Sequence, residues 1–224
     1  MAVCNVLQLL RQEVQINFYF FIFMSTKIQD FYRLHSGFYD LTRWFFLFNR
    51  KKAVKAMKLK QGDTVIYVGC GTGHNFSQIL RRISKTGRLI GIDYSPDMLN
   101  QARKKIRKNN WKNIKVVQAD ATNYKLNTKA NAILYSFSLS MFPDWRQSLK
   151  ASYKHLKNRG RIAIIDFSEF NGVLRLLNPV FNWWLYKHSV NNKQEIAQFL
   201  KKMHWKHSIK ETRTGYNKII VIFK

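Results

Sequence analysis

Residues 64–75, read as TVIYVGCGTGHN, constrain the fold of this chain more than any other stretch. A β-branched apolar run, Val65 to Val68, enters a turn with glycines at 69, 71 and 73. Polar His74 and Asn75 follow, and then Phe76, Ile79 and Leu80 recur at helical spacing. Strand, glycine turn and helix in that order let backbone N–H groups and a helix N-terminus approach a ligand closely. The spacing is Gly-x-Gly-x-Gly, which differs from the Gly-x-Gly-x-x-Gly of dinucleotide binders. A second apolar run, Leu89 to Ile92, ends in Asp93, twenty residues past Gly73. A carboxylate at the end of the second strand is placed to accept hydrogen bonds from both ribose hydroxyls of a nucleoside. A third run over 114–118 leads to Asp120 and Ala121. Glycines, Asp and Asp delivered in order at three strand ends carry far more information than any one of them.

The rest of the core alternates in the same way. The pattern predicts strands at 64–68, 88–93, 114–118, 130–136 and 161–166, and helices at 75–84, 96–108 and 144–157. Pro96 directly after Ser95 reads as the capped start of the second of these helices. Alternation of this kind makes an α/β fold with a parallel sheet covered on both faces. Residues 205–209 and 218–223 read as a closing antiparallel pair. Between the fifth strand and this pair lies a lid-like insertion over 171–190, rich in Leu, Trp, Phe and Tyr. It reads either as a lid packed over the site or as a segment whose tryptophans sit at a bilayer interface.

The segments VGCGTG (68–73), GIDYSPDML (91–99), QADAT (118–122) and LKNRGRIAIIDF (156–167) resemble the class I S-adenosylmethionine-dependent methyltransferases, from about residue 30 to the end of the chain. The resemblance implies a Rossmann-like, seven-stranded, mostly parallel sheet with helices on both faces and a C-terminal antiparallel hairpin. It implies S-adenosyl-L-methionine as cofactor. By match to the family, the turn Gly69-Cys70-Gly71 with Gly73 brings backbone to the methionine part, Asp93 takes the ribose hydroxyls, and Tyr94 and Met98 flank the adenine. Asp120 accepts from the adenine amino group, opposite the Ala121 N–H. One departure stands out: the family usually carries an acid where this chain has Tyr67. Tyr39, Asp40 or Ser136 is then expected to compensate, and Tyr67→Asp is expected to preserve or tighten cofactor binding.

Residues 131–145 lack the Asn-Pro-Pro-Tyr signature of amino methylases acting on bases and proteins. Together with FYDLTRWFFLFNRKKAV (38–54), this stretch resembles bacterial phosphatidylethanolamine N-methyltransferases and the N-methylases of betaine lipids. That likeness implies a lipid headgroup amine as acceptor. An ammonium with a pKa of about 10, by analogy with lysine, must lose a proton before its lone pair can attack. Tyr39, Tyr135 and His35 are the candidate catalytic groups, Tyr39 foremost because its position matches a tyrosine near the site in the relatives. The alternative acceptors are a quinone precursor, methylated on carbon or oxygen, and, less favoured, RNA.

Charge bears on partners. Lys and Arg number 39 against 12 Asp and Glu, a formal net charge of +27. Such a surface seeks polyanions, either an anionic membrane or nucleic acid, although a genome biased toward lysine codons also fits. No RNA-binding module is recognisable, so the membrane is the favoured partner. The two cysteines, Cys4 and Cys70, build neither a disulfide framework nor a zinc site. They fit a reducing cytoplasm, with the protein held peripherally on the inner face of the membrane. The apolar run 16–24 has nine residues, short of the ~20 that span a bilayer. Residues 1–24 therefore read as an extension, either lying on the membrane surface or preceding a true start at Met24. Residues 25–224 form the domain, led by aromatic and basic helices over 28–58.

Overall fold

The computed structural model describes residues 49–192, 194–212 and 215–224. The aromatic segment through residue 48, with the candidates His35, Tyr39 and Asp40, lies outside the described residues.

Helix α1 (Arg50–Ala56) leads into β1 (Thr64–Val68), α2 (Phe76–Ile83), β2 (Arg88–Asp93), α3 (Pro96–Lys108) and β3 (Ile114–Gln118). Then come β4 (Ala130–Ser136), α4 (Trp145–His155), β5 (Leu156–Phe167), α5 (Asn178–Lys187), α6 (Ile196–Lys202), β6 (His207–Glu211) and β7 (Asn217–Phe223). The sheet order is β3-β2-β1-β4-β5-β7-β6. Strands β1 to β5 are parallel, while β7 runs antiparallel between β5 and β6. Val65 pairs with Leu89 on one side and Ala132 on the other, so β1 is central. A strand covered on both faces needs apolar residues without alternation, and Val65 to Val68 are all buried.

Two apolar layers cover the sheet. One joins Val54, Phe76, Ile79, Ile83 and Leu99 to Val65, Tyr67 and Leu134. The other joins Trp145, Leu149, Phe199 and Leu200 to Ile66, Val68, Ile133 and Tyr135. Ala53, Val54 and Met57, spaced between lysines, are buried. Ser95 caps α3, its hydroxyl accepting from the Met98 N–H at 3.3 Å. The chain builds outward from β1 to β3 and then crosses back to β4. That reversal opens a crevice at the carboxyl ends of β1 and β4, the place where such sheets bind ligands.

The structure departs from the sequence pattern in four places. Helix α4 ends at His155, and β5 starts five residues ahead of the predicted strand, through an irregular pairing of Ala130 with Leu156 and a positive φ of 62° at Arg159. Strand β6 is shifted two residues along, because Trp205 leaves the strand to stack on Tyr153, 4.0 Å between ring centres. Helix α6 was not anticipated, although Ile196, Phe199 and Leu200 bury one face of it. The insertion is a six-residue 3-10 turn, Gly172–Leu177, running into α5. Among the described residues no helix is long and apolar enough to cross a membrane.

Candidate active site

The glycine turn leaves β1 at Gly69, whose φ is +66°. A Cβ there would also stand 2.5 Å from Ser138 Cβ. Ser138 donates its hydroxyl to the Val68 carbonyl at 3.0 Å, so the loop after β4 closes directly on the turn. Gly71 differs: its φ is +53°, but a Cβ would meet nothing within 4 Å among the described residues. Open space beside a glycine turn at a sheet's carboxyl edge is what a backbone-held ligand requires.

Asp93 fixes that turn. One carboxylate oxygen accepts from the Gly71 N–H at 2.7 Å, and the other from the Ser95 N–H at 3.0 Å. Asp120 divides its carboxylate: Oδ1 accepts from the Thr122 N–H and hydroxyl, both at 2.8 Å. Its Oδ2 makes no hydrogen bond among the described residues and stays available. Tyr94 is 48% exposed while Met98 is buried, so the expected adenine flank has one accessible ring and one interior thioether. Cys70 turns inward, its Sγ 2.9 Å from where a Cβ on Gly91 would lie. Burial pushes its thiol up, and the nearby Asp93 adds to this. It is a packing residue that contributes backbone to the turn.

Tyr67 sits in the apolar layer, its ring edge-on to Phe76 at 6.2 Å. Burial pushes its hydroxyl up to about 12, Cys70 adds to this, and Arg50, Asn75 and Ser136 oppose it. Asn75 Nδ2 donates to that hydroxyl at 3.0 Å. Among the described residues Asn75 Oδ1 is buried with no hydrogen-bonding partner, while the buried Ser136 hydroxyl lies against that of Tyr67 and lowers its pKa. Unpaired buried acceptors are rare because each costs free energy. Asn75 Oδ1, with the Ser136 hydroxyl near it at Tyr67, fits a cationic donor, such as the ammonium of an amino-acid-bearing cofactor. Ser136, expected to compensate for the missing acid, lies at Tyr67, and so does Asn75.

Tyr135 is not a catalytic group. Its side chain lies in the opposite apolar layer, its hydroxyl 2.9 Å from Ser148 Oγ and 2.6 Å from Ser152 Oγ. The period of two along β4 sends Tyr135 and Leu134 to opposite faces, and it is Leu134 that shares a layer with Tyr67 and Cys70.

Asn75, Ser138 and Asp166 were missed. Asp166, at the end of β5, is buried and holds the loop after β4 through the Ser140 N–H at 2.9 Å and hydroxyl at 2.6 Å. It also accepts from the Phe167 N–H at 2.9 Å. Burial raises its carboxyl despite these bonds and despite Lys218 opposite. The logic of acids at strand ends applied to it equally. Nothing in spacing marks Asn75 or Ser138. A separate cleft of about 740 Å³ lies at the other pole, lined by Lys85, Arg88, Lys112, Lys115 and Lys125, and shares no residue with this site.

The two glycines separate folding from binding. Gly69→Ala is expected to cost ~2 kcal/mol or more, from the left-handed φ and the Ser138 contact. Gly71→Ala is expected to cost only ~1 kcal/mol in stability while lowering cofactor affinity at least about ten-fold, since the Cβ fills the open space. Thermal melts and titration calorimetry on the two variants check this.

The fold and the strand-end residues define a class I S-adenosylmethionine-dependent methyltransferase. Residues 42–213 match the ubiE/COQ5 methyltransferase family, and the chain belongs to that family. It is 28% identical over 148 residues to a demethylmenaquinone methyltransferase of Listeria welshimeri, covering 62% of this chain and 63% of that protein. It is 34% identical over 130 residues to a demethylmenaquinone methyltransferase of Lactobacillus johnsonii, covering 57% and 53%. The chain thus spans roughly six tenths or less of the length of these curated relatives. Among solved structures, a phosphoethanolamine N-methyltransferase of Haemonchus contortus in complex with S-adenosyl-L-methionine superposes with a TM-score of 0.70 at 13% identity, covering 88% of this chain and 60% of that one. At that identity the likeness concerns the fold alone. The finer likeness to phosphatidylethanolamine and betaine-lipid N-methyltransferases gives way to these relatives, whose names carry a quinone acceptor.

Proposed function

We propose that this protein transfers a methyl group from S-adenosylmethionine to a ring carbon of a demethylated menaquinone-type acceptor in its reduced form. This reading is carried by the turn at Gly71 that Asp93 pins, with the unpaired Asn75 Oδ1 and the Ser136 hydroxyl beside it. The quinone class of the acceptor is supported by the names of the Listeria and Lactobacillus relatives. The cofactor, when bound, supplies a methyl on a sulfonium that is already activated. The protein's own part is to bind, orient and exclude water. Gly69, Gly71 and Gly73 would hold the methionine part by backbone, Asn75 and Ser136 its ammonium, Asp93 the ribose, and Asp120 with Ala121 the adenine. A ring carbon needs electron density from an ionised hydroxyl, not an amine lone pair. The acceptor's demand is thus deprotonation of a quinol hydroxyl, phenol-like with a pKa of about 10, followed, once the methyl–sulfur bond has been exchanged for a methyl–carbon bond, by loss of the proton from that ring carbon.

The test uses methyl-labelled cofactor, the purified full chain and two acceptors, a reduced demethylated naphthoquinone in detergent and phosphatidylethanolamine vesicles. Label in the quinone spot of a thin-layer plate is the expected result. Label in mono-, di- or trimethylated headgroups would overturn the acceptor in favour of a lipid amine. Cofactor binding with no label in either would overturn the acceptor class.

A further inference from the structure

We infer that the segment 172–187 is the face by which the protein docks on an anionic lipid bilayer. Seven of the nine large hydrophobic side chains exposed among the described residues lie in it, the other two being Tyr94 and Ile209. Val173 is 87% exposed, Leu176 83%, Val180 69%, Trp183 61% and Tyr186 80%. These positions recur every three or four residues, so one apolar stripe runs outward across the 3-10 turn and α5. The opposite side is firmly held. Asn178 clamps Phe170, accepting from its N–H at 2.8 Å and donating to its carbonyl at 3.1 Å. Phe181 and Leu185 are buried, with Phe181 4.9 Å from Phe170 and 6.1 Å from Phe167. A helix anchored by one face is not waiting to fold inward, so the outward stripe is a surface. Contiguous exposed apolar patches of this kind mark interaction sites.

Composition and charge select the occupant. Tryptophan and tyrosine beside aliphatic residues suit the headgroup boundary, where their rings have one apolar and one wet end. Residues 170–194 contain no acid, and Arg175, Lys187 and His188 flank the stripe. Lys187 Nζ lies 5.7 Å from the Trp183 ring. A net charge of +27 adds long-range attraction to anionic headgroups. The face is attached at the mouth of the site: Phe167 ends β5, and the Asn191 N–H after α5 donates to the Ser140 carbonyl in the loop after β4 at 2.9 Å. Docking would therefore present the crevice to the bilayer. In that respect the inference rests on the proposed acceptor, which is carried in the membrane.

The test measures vesicle binding without acceptor or cofactor, so its outcome is independent of methyl transfer. The full chain is sedimented with phosphatidylcholine vesicles holding about 30% phosphatidylglycerol at ~0.15 M salt, beside the triple variant Leu176→Gln, Val180→Gln, Trp183→Gln. The wild type is expected to bind, and the triple variant to bind at least roughly ten-fold more weakly, with cofactor affinity and melting temperature unchanged. Arg175→Glu with Lys187→Glu is expected to weaken binding to anionic vesicles only. Equal binding by the triple variant and the wild type would overturn the inference, as would a wild-type dimer in ultracentrifugation that the triple variant abolishes.

Discussion

Asp93→Ala is expected to lower the affinity for S-adenosylmethionine by about two to three orders of magnitude, the largest effect of any single substitution on binding. Three things are lost together. The ribose loses its charged acceptor. The Gly71 N–H loses its 2.7 Å partner and the Ser95 N–H its 3.0 Å partner, so the turn and the approach to α3 lose their common pin. Hydrogen bonds to a charged group contribute about 1.5–3 kcal/mol each. Two to a ribose, taken near the lower end at about 1.5–2 kcal/mol each, give the stated two to three orders at ~1.4 kcal/mol per factor of ten. The cost in stability is smaller, because Asp93 is only half-buried and water can replace it at the two N–H groups. Asp93→Asn keeps one acceptor oxygen and is expected to fall between, at about ten- to a hundred-fold. Titration calorimetry on both variants, with circular dichroism as the control for folding, decides the matter. An affinity within three-fold of wild type in Asp93→Ala would remove Asp93 from the cofactor site.

Strands buried on both faces were the most legible part of the fold. The predicted limits of β1 to β4 coincide with those observed, because Val, Ile and Leu runs closed by Gly, Ser or Asp leave little freedom in where a central strand begins and ends. Helix α3 was equally legible from Ser95 and Pro96. Edges were not. β6 pairs with β7 alone, so nothing in its own pattern fixed its register, and the stacking of Trp205 on Tyr153 moved it by two residues. The candidate site divides along the same line. Residues whose backbone matters, Gly69, Gly71 and Gly73, are visible as spacing, and Asp93 and Asp120 are visible as acids at strand ends. Residues that act by side chain across the sheet are not visible. Asn75 matters because it reaches Tyr67 on β1, and Ser138 because it closes on Gly69 from β4. The first relation exists only once α2 folds back on β1, and the second only once β1 and β4 are neighbours. Tyr135 was chosen for its type and strand end, and the alternation of β4 sends it to the other face.

Tyr67→Asp is expected to destabilise the unliganded protein by about 4 kcal/mol, lowering its melting temperature by about 10 °C. From sequence alone this change restores the acid usual in the family and is expected to preserve or tighten cofactor binding. The structure adds a cost ahead of that gain. The ring is buried against Phe76 and its hydroxyl accepts from Asn75, so a shorter side chain leaves a cavity and an unpaired amide. The carboxylate would enter surroundings that already push the tyrosine hydroxyl up to about 12, chiefly by burial. A carboxyl raised in the same way binds its proton more tightly folded than unfolded. The variant should therefore lose stability as pH rises above the ordinary carboxyl range, with most of the loss complete by neutrality. The cofactor's ammonium, placed against Asn75 Oδ1 and Ser136 Oγ, would reverse part of this by pairing with the new charge. Saturating S-adenosylmethionine is accordingly expected to raise the melting temperature of Tyr67→Asp by more than it raises that of the wild type. Tyr67→Phe separates the two contributions: it keeps the packing, leaves Asn75 Nδ2 unpaired at ~1–2 kcal/mol, and is expected to leave cofactor affinity within a few-fold. Were Tyr67→Asp as stable as the wild type without cofactor, the buried position of this ring would be wrong. Were it destabilised yet indifferent to cofactor, the ammonium would lie elsewhere, and Asn75 and Ser136 would have to find another donor.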